Sequence, residues 1–324
     1  MTFEDAFKEE LNNILKAPRQ MQLYFVLKSK EGFVLRLADI EDEKTEPEIQ
    51  SLFEAFIEND LLSNDDLRIR SLSTADDATN TVYKYDYETH PEELALFRDF
   101  DIGEAINIQK FNFDNDKLSS LFGYIVYIGS MSNGLLLFKK HYPISLIKRE
   151  SFLLGAYKDK KRFEKLPSED IIRLNGEAQL LRVNGIIYVL DIGVLQKNLG
   201  FIELITKAAL DSVNAIESLE ILDDIDVLKD TIEEPSFARK LSRIKNTSPI
   251  FRLGITKEQI VEFSKTNPGL AGGFKYSEDG SRIRLDTKKS KQLFLKMMND
   301  SFLRSELTKQ YYEASAKDNL TDQT

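Results

Sequence analysis

The sequence predicts an α+β protein. An acidic, mixed N-terminal domain at 1–118 precedes a core at 119–324. That core is an antiparallel β meander (120–191) followed by a mainly helical C-terminal region (192–318). Three observations predict it. Short alternating runs bounded by turn residues fill most of the first 190 positions. Beyond position 200, apolar residues recur at three- and four-residue spacing. Charge is also uneven: residues 1–138 sum to −14 and residues 139–324 to +4.

In chain order, Phe3, Phe7, Leu11, Ile14 and Leu15 share one face of a helix over 3–16. Thr2 and Asp5 have capping-box spacing, and Glu4 and Asp5 suit the positive end of its dipole. Two strands, 22–28 and 33–37, form a hairpin across Lys30-Glu31-Gly32. A helix follows the acidic tract 41–48, with Thr45 as cap, Pro47 in its first turn, and Ile49, Leu52, Phe53, Phe56 and Ile57 inward. Residues 67–72 and 81–87 read as strands around a polar loop. The boundary is placed at the turn-prone stretch 113–120.

The meander holds about seven strands by turn spacing. Its clearest signals are Phe122–Ile128, the Ser132-Asn133-Gly134 turn into Leu135–Phe138, and Asn184-Gly185 between 179–183 and 186–190. Further strands are expected at 144–147, 152–157 and 170–174. Helices are expected at 201–222, 225–233, 236–245 and 257–265. A small hairpin joins 274–276 to 283–285, and helices at 288–299 and 308–317 close the chain. In the last one, Glu313 and Lys317 form a four-residue pair.

Composition excludes several chemistries. The 324 residues include no cysteine and only two histidines, His90 and His141. There is thus no disulfide, thiolate zinc site or cysteine nucleophile, and little material for a histidine-based triad. Residues 269–275 lack the spacing of a phosphate loop, and no Gly-x-Gly-x-x-Gly occurs. Met131 stands where a nucleophile-elbow serine would be. Asp114 and Asp116 begin like a calcium loop, but Leu118 breaks it. Asp191, Glu203 and Lys207 lack nuclease spacing, and the last two read as a helix ion pair. Asp223, Asp224 and Asp226 read as caps. No cofactor is expected. The acidic start and the shortness of the apolar run Leu121–Gly129 predict a cytoplasmic protein without a signal or membrane span.

Positive charge gathers in three segments. Lys139–Lys165 holds nine basic residues against three acids. The second segment is Arg239, Lys240, Arg243 and Lys245. The third is Arg282, Arg284, Lys288, Lys289, Lys291 and Lys296. Each is either an ordinary solvated surface or part of a phosphate-contacting face. A protein of net charge −10 must gather its cations locally to bind nucleic acid. Phe138, Tyr142, Phe152, Tyr157 and Phe163 interleave with the first segment, as core residues or as stacking platforms. His141 reads as a surface histidine or a phosphate contact. The basic hairpin before the helix at 288 has a weak likeness to a winged-helix module.

Several stretches resemble the KwaB-like family of the Kiwa anti-phage defence system. They are Phe237-Ala-Arg-Lys-Leu241 with Thr247-Ser-Pro249, Phe294–Asp300 into Leu303-Arg-Ser-Glu-Leu-Thr308, Tyr312–Asp318, and the hairpin Asn184–Leu190 with the long helix after it. The resemblance implies a DNA-binding defence protein acting on incoming phage DNA with a KwaA-like membrane protein, through which it would be membrane-associated. It implies no catalytic residue set. The leading expectation is therefore a non-enzymatic, sequence-independent DNA binder, with Lys160, Lys161, Arg162, Arg239, Lys240, Arg243, Lys288, Lys289 and Lys291 on phosphates. The alternatives are a metal-dependent nuclease with an unfamiliar site and a docking scaffold without DNA contact. The apolar C-terminal helices pack within one chain or between two, and a homodimer or higher oligomer is expected.

Overall fold

The computed structural model describes residues 2–40, 44–75, 78–142, 154–157, 162–165 and 172–314, with backbone alone at 154–157 and 162–165. The architecture is α+β, as the sequence predicts. The chain forms two compact units. One comprises Met1–Ile69, Thr79–Tyr85 and Pro91–Leu195; the other comprises Arg70–Ala78, Asp86–His90 and Gln196–Thr324.

The first unit is built on a long sheet. The sheet's strands are β1 (Gln20–Ser29), β2 (Gly32–Leu37), β3 (Arg68–Ser71, of which Arg68 and Ile69 belong to this unit), β4 (Thr81–Lys84), β5 (Leu121–Gly129), β6 (Gly134–Lys140), β9 (Leu180–Val183) and β10 (Ile186–Val189). The order is β2-β1-β5-β6-β9-β10-β4-β3. β1 pairs antiparallel with β5 over Gln20–Leu27, so strands from both sides of position 118 share one sheet. The strand expected at 152–157 forms as β7 (Leu154–Tyr157), and it pairs in a separate hairpin with β8 (Arg162–Lys165), a strand that turn spacing did not mark. The expected strand at 144–147 lies outside the described residues. Residues 172–174 are not a strand.

Both faces of the sheet are covered, which is why β5 is buried at every residue instead of alternating. On one face, helix α1 (Phe3–Lys16) packs Phe7, Leu11 and Ile14 with Phe53, Ile57 and Leu61 over Tyr124, Val126 and Ile128. α1 starts at the expected capping box: Asp5 N–H donates to Thr2 Oγ1 at 3.1 Å, and Thr2 N–H donates to Asp5 Oδ2 at 2.9 Å. Helix α2 (Thr45–Phe56) runs on into a π-helical stretch, Ile57–Leu62. On the other face, Phe100 stacks on Tyr127 with ring centres 6.2 Å apart and lies 5.2 Å from Tyr24. Arg182 on β9 fixes this layer by donating to the carbonyls of Phe97 and Phe100 at 3.0 and 2.9 Å. At the outer edge, Leu37 N–H donates to the Gln109 carbonyl, and the Leu37 carbonyl accepts from Phe111 N–H, both at 2.9 Å.

Helix α3 (Ile192–Asn198) leads into the second unit. There α4 (Phe201–Glu217) packs on α5 (Pro235–Ser242). α4 buries Phe201, Ile205, Ala209, Val213 and Ile216 at helical spacing. Helix α6 (Lys257–Thr266), the hairpin β11 (Lys275–Tyr276)–β12 (Ile283–Arg284) and helix α7 (Lys288–Met298) follow. The last expected helix is overturned. Residues 302–313 form the hairpin β13 (Phe302–Arg304)–β14 (Tyr311–Glu313). Lys309 sits at φ 56°, a left-handed conformation that ends a helix and suits a turn. Tyr311 and Tyr312 favour a strand, and Arg304 lies 5.5 Å from the Tyr311 ring centre across the hairpin. Glu313 pairs with Lys296 at 2.6 Å. Its expected partner, Lys317, lies outside the described residues.

Candidate nucleic-acid interface

The second basic segment lies on and just after α5. Pro235 opens this helix and Arg239 and Lys240 sit in its last turn, where cations suit the dipole. Periodicity turns Arg239 inward: it is 1% exposed, and its Nη2 donates to the Ala75 carbonyl at 3.0 Å. Its own carbonyl accepts from Tyr87 Oη at 3.2 Å and Ser242 Oγ at 2.8 Å. Burial pushes the Tyr87 phenol up to about 12. Arg243 Nη1 donates to Asp86 Oδ2 at 2.8 Å and to Ser73 Oγ. Asp86 also accepts from Ser73 N–H at 3.0 Å and Ser73 Oγ at 2.7 Å. Lys240 is half-buried. Arg239 and Arg243 thus hold the second unit together, and Arg239 is absent from its surface.

The third segment is interleaved with acids. Arg284 donates to Asp223 Oδ2 from Nε at 2.9 Å and from Nη2 at 2.7 Å. Lys275 lies 2.8 Å from Asp286, and Arg282 lies 4.0 Å from Glu220. Asp223, expected as a cap, is therefore an ion-pair partner. Asp224 does not cap either: it accepts from Asp226 N–H at 3.0 Å in a turn, and the short helix Asp226–Lys229 begins at Ile225 with no side-chain cap.

Among the expected site residues whose side chains are described, helix α7 carries two, Lys289 and Lys291, that no described acid neutralises. A Thr287–Ser290 capping box starts it, each N–H donating to the other's hydroxyl at 3.0 Å. Lys288 pairs with Glu234 at 2.9 Å and lies 5.6 Å from the Phe237 ring centre, which brings the start of α7 beside the start of α5. Lys289 is exposed and Lys291 half-buried; among the described residues neither makes an ion pair.

In the first segment, Lys160 and Lys161 lie outside the described residues. Arg162 opens β8 opposite Tyr157. Lys139 pairs with Glu177 at 3.2 Å. Lys140 is half-buried, and burial, then the like charge of Lys28, lower its pKa. His141, read as a surface residue, is buried; burial and then Lys140 lower its pKa. Sequence alternation could have flagged it, because it follows directly on β6.

Asp191 caps α3, accepting from Val194 N–H at 3.1 Å. Among the described residues, no three of His, Asp and Glu come together as a metal-holding group. No helix among them is long and apolar enough to cross a membrane.

These features define a two-unit α+β protein with a doubly covered sheet in one unit and a capped, lysine-led helix in the other. The chain belongs to the Kiwa protein KwaB-like family, whose model matches residues 118–308. It is 28% identical over 323 residues to the Kiwa protein KwaB of Escherichia coli O55:H7 (strain RM12579 / EPEC), covering 97% of this chain and 98% of that protein. The resemblance read from the sequence is borne out, and the relative aligns across the acidic opening region as well. No solved structure matches.

Proposed function

We propose that this chain is the KwaB-type component of a Kiwa anti-phage defence system, acting as a non-enzymatic, sequence-independent DNA-binding effector. A KwaA-like membrane protein is its partner, and it works as a homo-oligomer in the cytoplasm. The start of α7 carries the DNA reading. Lys288, Lys289 and Lys291 crowd the positive end of a helix with no acid in its first turn. Cations there oppose the macrodipole, each unfavourable by about 0.3–1 kcal/mol, and a polyanion relieves them. Lysines act as point charges and read no base, which suits binding to any sequence. Lys160, Lys161 and Arg162 extend the same reading. Arg239 and Arg243 are left out of it, because their guanidiniums serve the interior of the second unit.

The test is DNA affinity at two salt concentrations. The wild type should bind duplex DNA with a steep salt dependence. Reversing Lys288, Lys289 and Lys291 to Glu should weaken binding and reduce the log–log salt slope by about three. An unchanged affinity and slope would reject the assignment.

A further inference from the structure

Beside β6, the β1–β5 ladder breaks step. Val26 pairs with Gly123 but Leu27 pairs with Leu121, so Phe122 is an extra residue on β5. Bulges of this kind re-aim a side chain and often border binding sites. Here the Phe122 ring lies among cations. Lys140 Nζ is 4.3 Å from its centre and Lys28 Nζ is 5.7 Å. Lys28 is also 5.3 Å from the ring of its cross-strand partner Phe33, and Lys140 is 5.5 Å from Tyr142. The carbonyl of the bulged residue holds the site in place. It accepts from Lys140 Nζ at 2.8 Å and from His141 N–H at 2.9 Å. Lys140 Nζ also donates to the His141 carbonyl at 3.0 Å, so two of its three N–H groups are committed to backbone.

The two ammonium groups repel each other. Among the described residues, no carboxylate forms an ion pair with either, although acids outnumber bases 54 to 44. Alternation along β6 sends the adjacent Lys139 to the opposite face, where Glu177 takes it. Burial and the neighbouring charge both lower the Lys140 pKa, as expected of a cation awaiting an anion. Tyr142, 57% exposed, offers a ring beside Lys140 on which a flat group can lie.

We propose that Lys28, Lys140, Phe122 and Tyr142 form a binding site for a phosphate monoester of nucleotide type. The phosphate bridges the two lysines and the base lies on Tyr142. A monoester carries about −1.5 to −2 at neutral pH, which matches two ammonium groups better than the single charge of an internal phosphodiester. The source is the phosphorylated end of a strand or a free mononucleotide. This goes beyond the DNA-backbone reading, which rests on α7 in the other unit.

The experiment uses the full chain and two pairs of probes: 5′-phosphorylated against 5′-hydroxyl oligothymidylate, and thymidine 5′-monophosphate against inorganic phosphate. The phosphorylated strand should bind about tenfold more tightly than the hydroxyl strand, the contribution of one charge-assisted contact. Lys28 is exposed. Lys28→Ala should therefore leave the fold intact, checked by its thermal midpoint, and remove most of that ratio. Tyr142→Ala should weaken the mononucleotide about tenfold relative to inorganic phosphate. Charge reversal on α7 should weaken both strands equally and leave the ratio unchanged. A ratio near one in the wild type, or one that survives Lys28→Ala, overturns the site. If the mononucleotide binds in a Lys28-dependent way while neither strand does, the DNA reading falls and the site stands.

Discussion

Arg243 reaches 157 residues back along the chain to place its guanidinium 2.8 Å from the carboxylate of Asp86. The same carboxylate holds the N–H and the hydroxyl of Ser73. One acid thereby ties a helix terminus to two short segments of the opening region, all within the second unit.

Removing either partner should loosen that unit. Arg243→Ala and Asp86→Ala should each destabilise by about 1–3 kcal/mol, since the pair is only partly buried. Chemical denaturation measures this. The double variant should lose less than the sum of the singles, and additive losses would show that the two groups do not act as a pair.

Two glycines should respond to alanine for different reasons. A Cβ on Gly123 would meet the Lys139 carbonyl oxygen at 2.6 Å and the Phe138 ring at 3.0 Å. Gly123→Ala should cost about 2 kcal/mol or more through overpacking, and should disturb the neighbouring bulge. Gly185 has open space around it but sits at φ 74°. Gly185→Ala should cost about 1 kcal/mol through backbone strain alone. Equal losses at the two sites would contradict this distinction.

Acid should weaken the first unit through Glu54. Arg19 donates to this carboxylate and lowers its pKa, with Gln50 assisting. A carboxyl whose folded pKa is depressed contributes stability that is full above the unfolded value. That contribution is lost as pH falls through the folded value. Glu54→Gln should therefore be less stable than the wild type at pH 7, with the gap closing below about pH 4. Urea midpoints from pH 7 to 3 test it, and a constant gap would refute it.

Helix α7 depends on its cap. Thr287→Ala should destabilise by about 1 kcal/mol, measured as a lower thermal midpoint. DNA affinity should fall with it if ordered lysines at the helix start make the phosphate contacts.

Local chemistry made much of the fold legible. Thr2 and Asp5 announced α1, and Asn184-Gly185 announced the β9–β10 hairpin, with both residues at positive φ as such a turn demands. What escaped depends on distant partners. Nothing near Leu23 in sequence says that β1 lies beside β5. The spacing at 308–317 suited a helix, but the left-handed Lys309 and the contacts across the hairpin outweigh it. The basic segments were legible as charge and not as surface. Arg239 is buried because its position on α5 faces inward, and Asp223 and Glu234 meet Arg284 and Lys288 only once the chain has folded. The cluster at Lys28 and Lys140 was missed because its members lie 112 residues apart and a bulge brings them together.

The backbone bonds between Leu37 and the strand-like stretch at 109–111 bear on self-association. An open sheet border invites a neighbour to dock there as one more ladder rung. Here the chain's own loop occupies that seat at the tip of β2. Continuation of the sheet by another strand is accordingly blocked at this point, and whatever approaches the tip of β2 meets side-chain surfaces, where charge and shape select what binds.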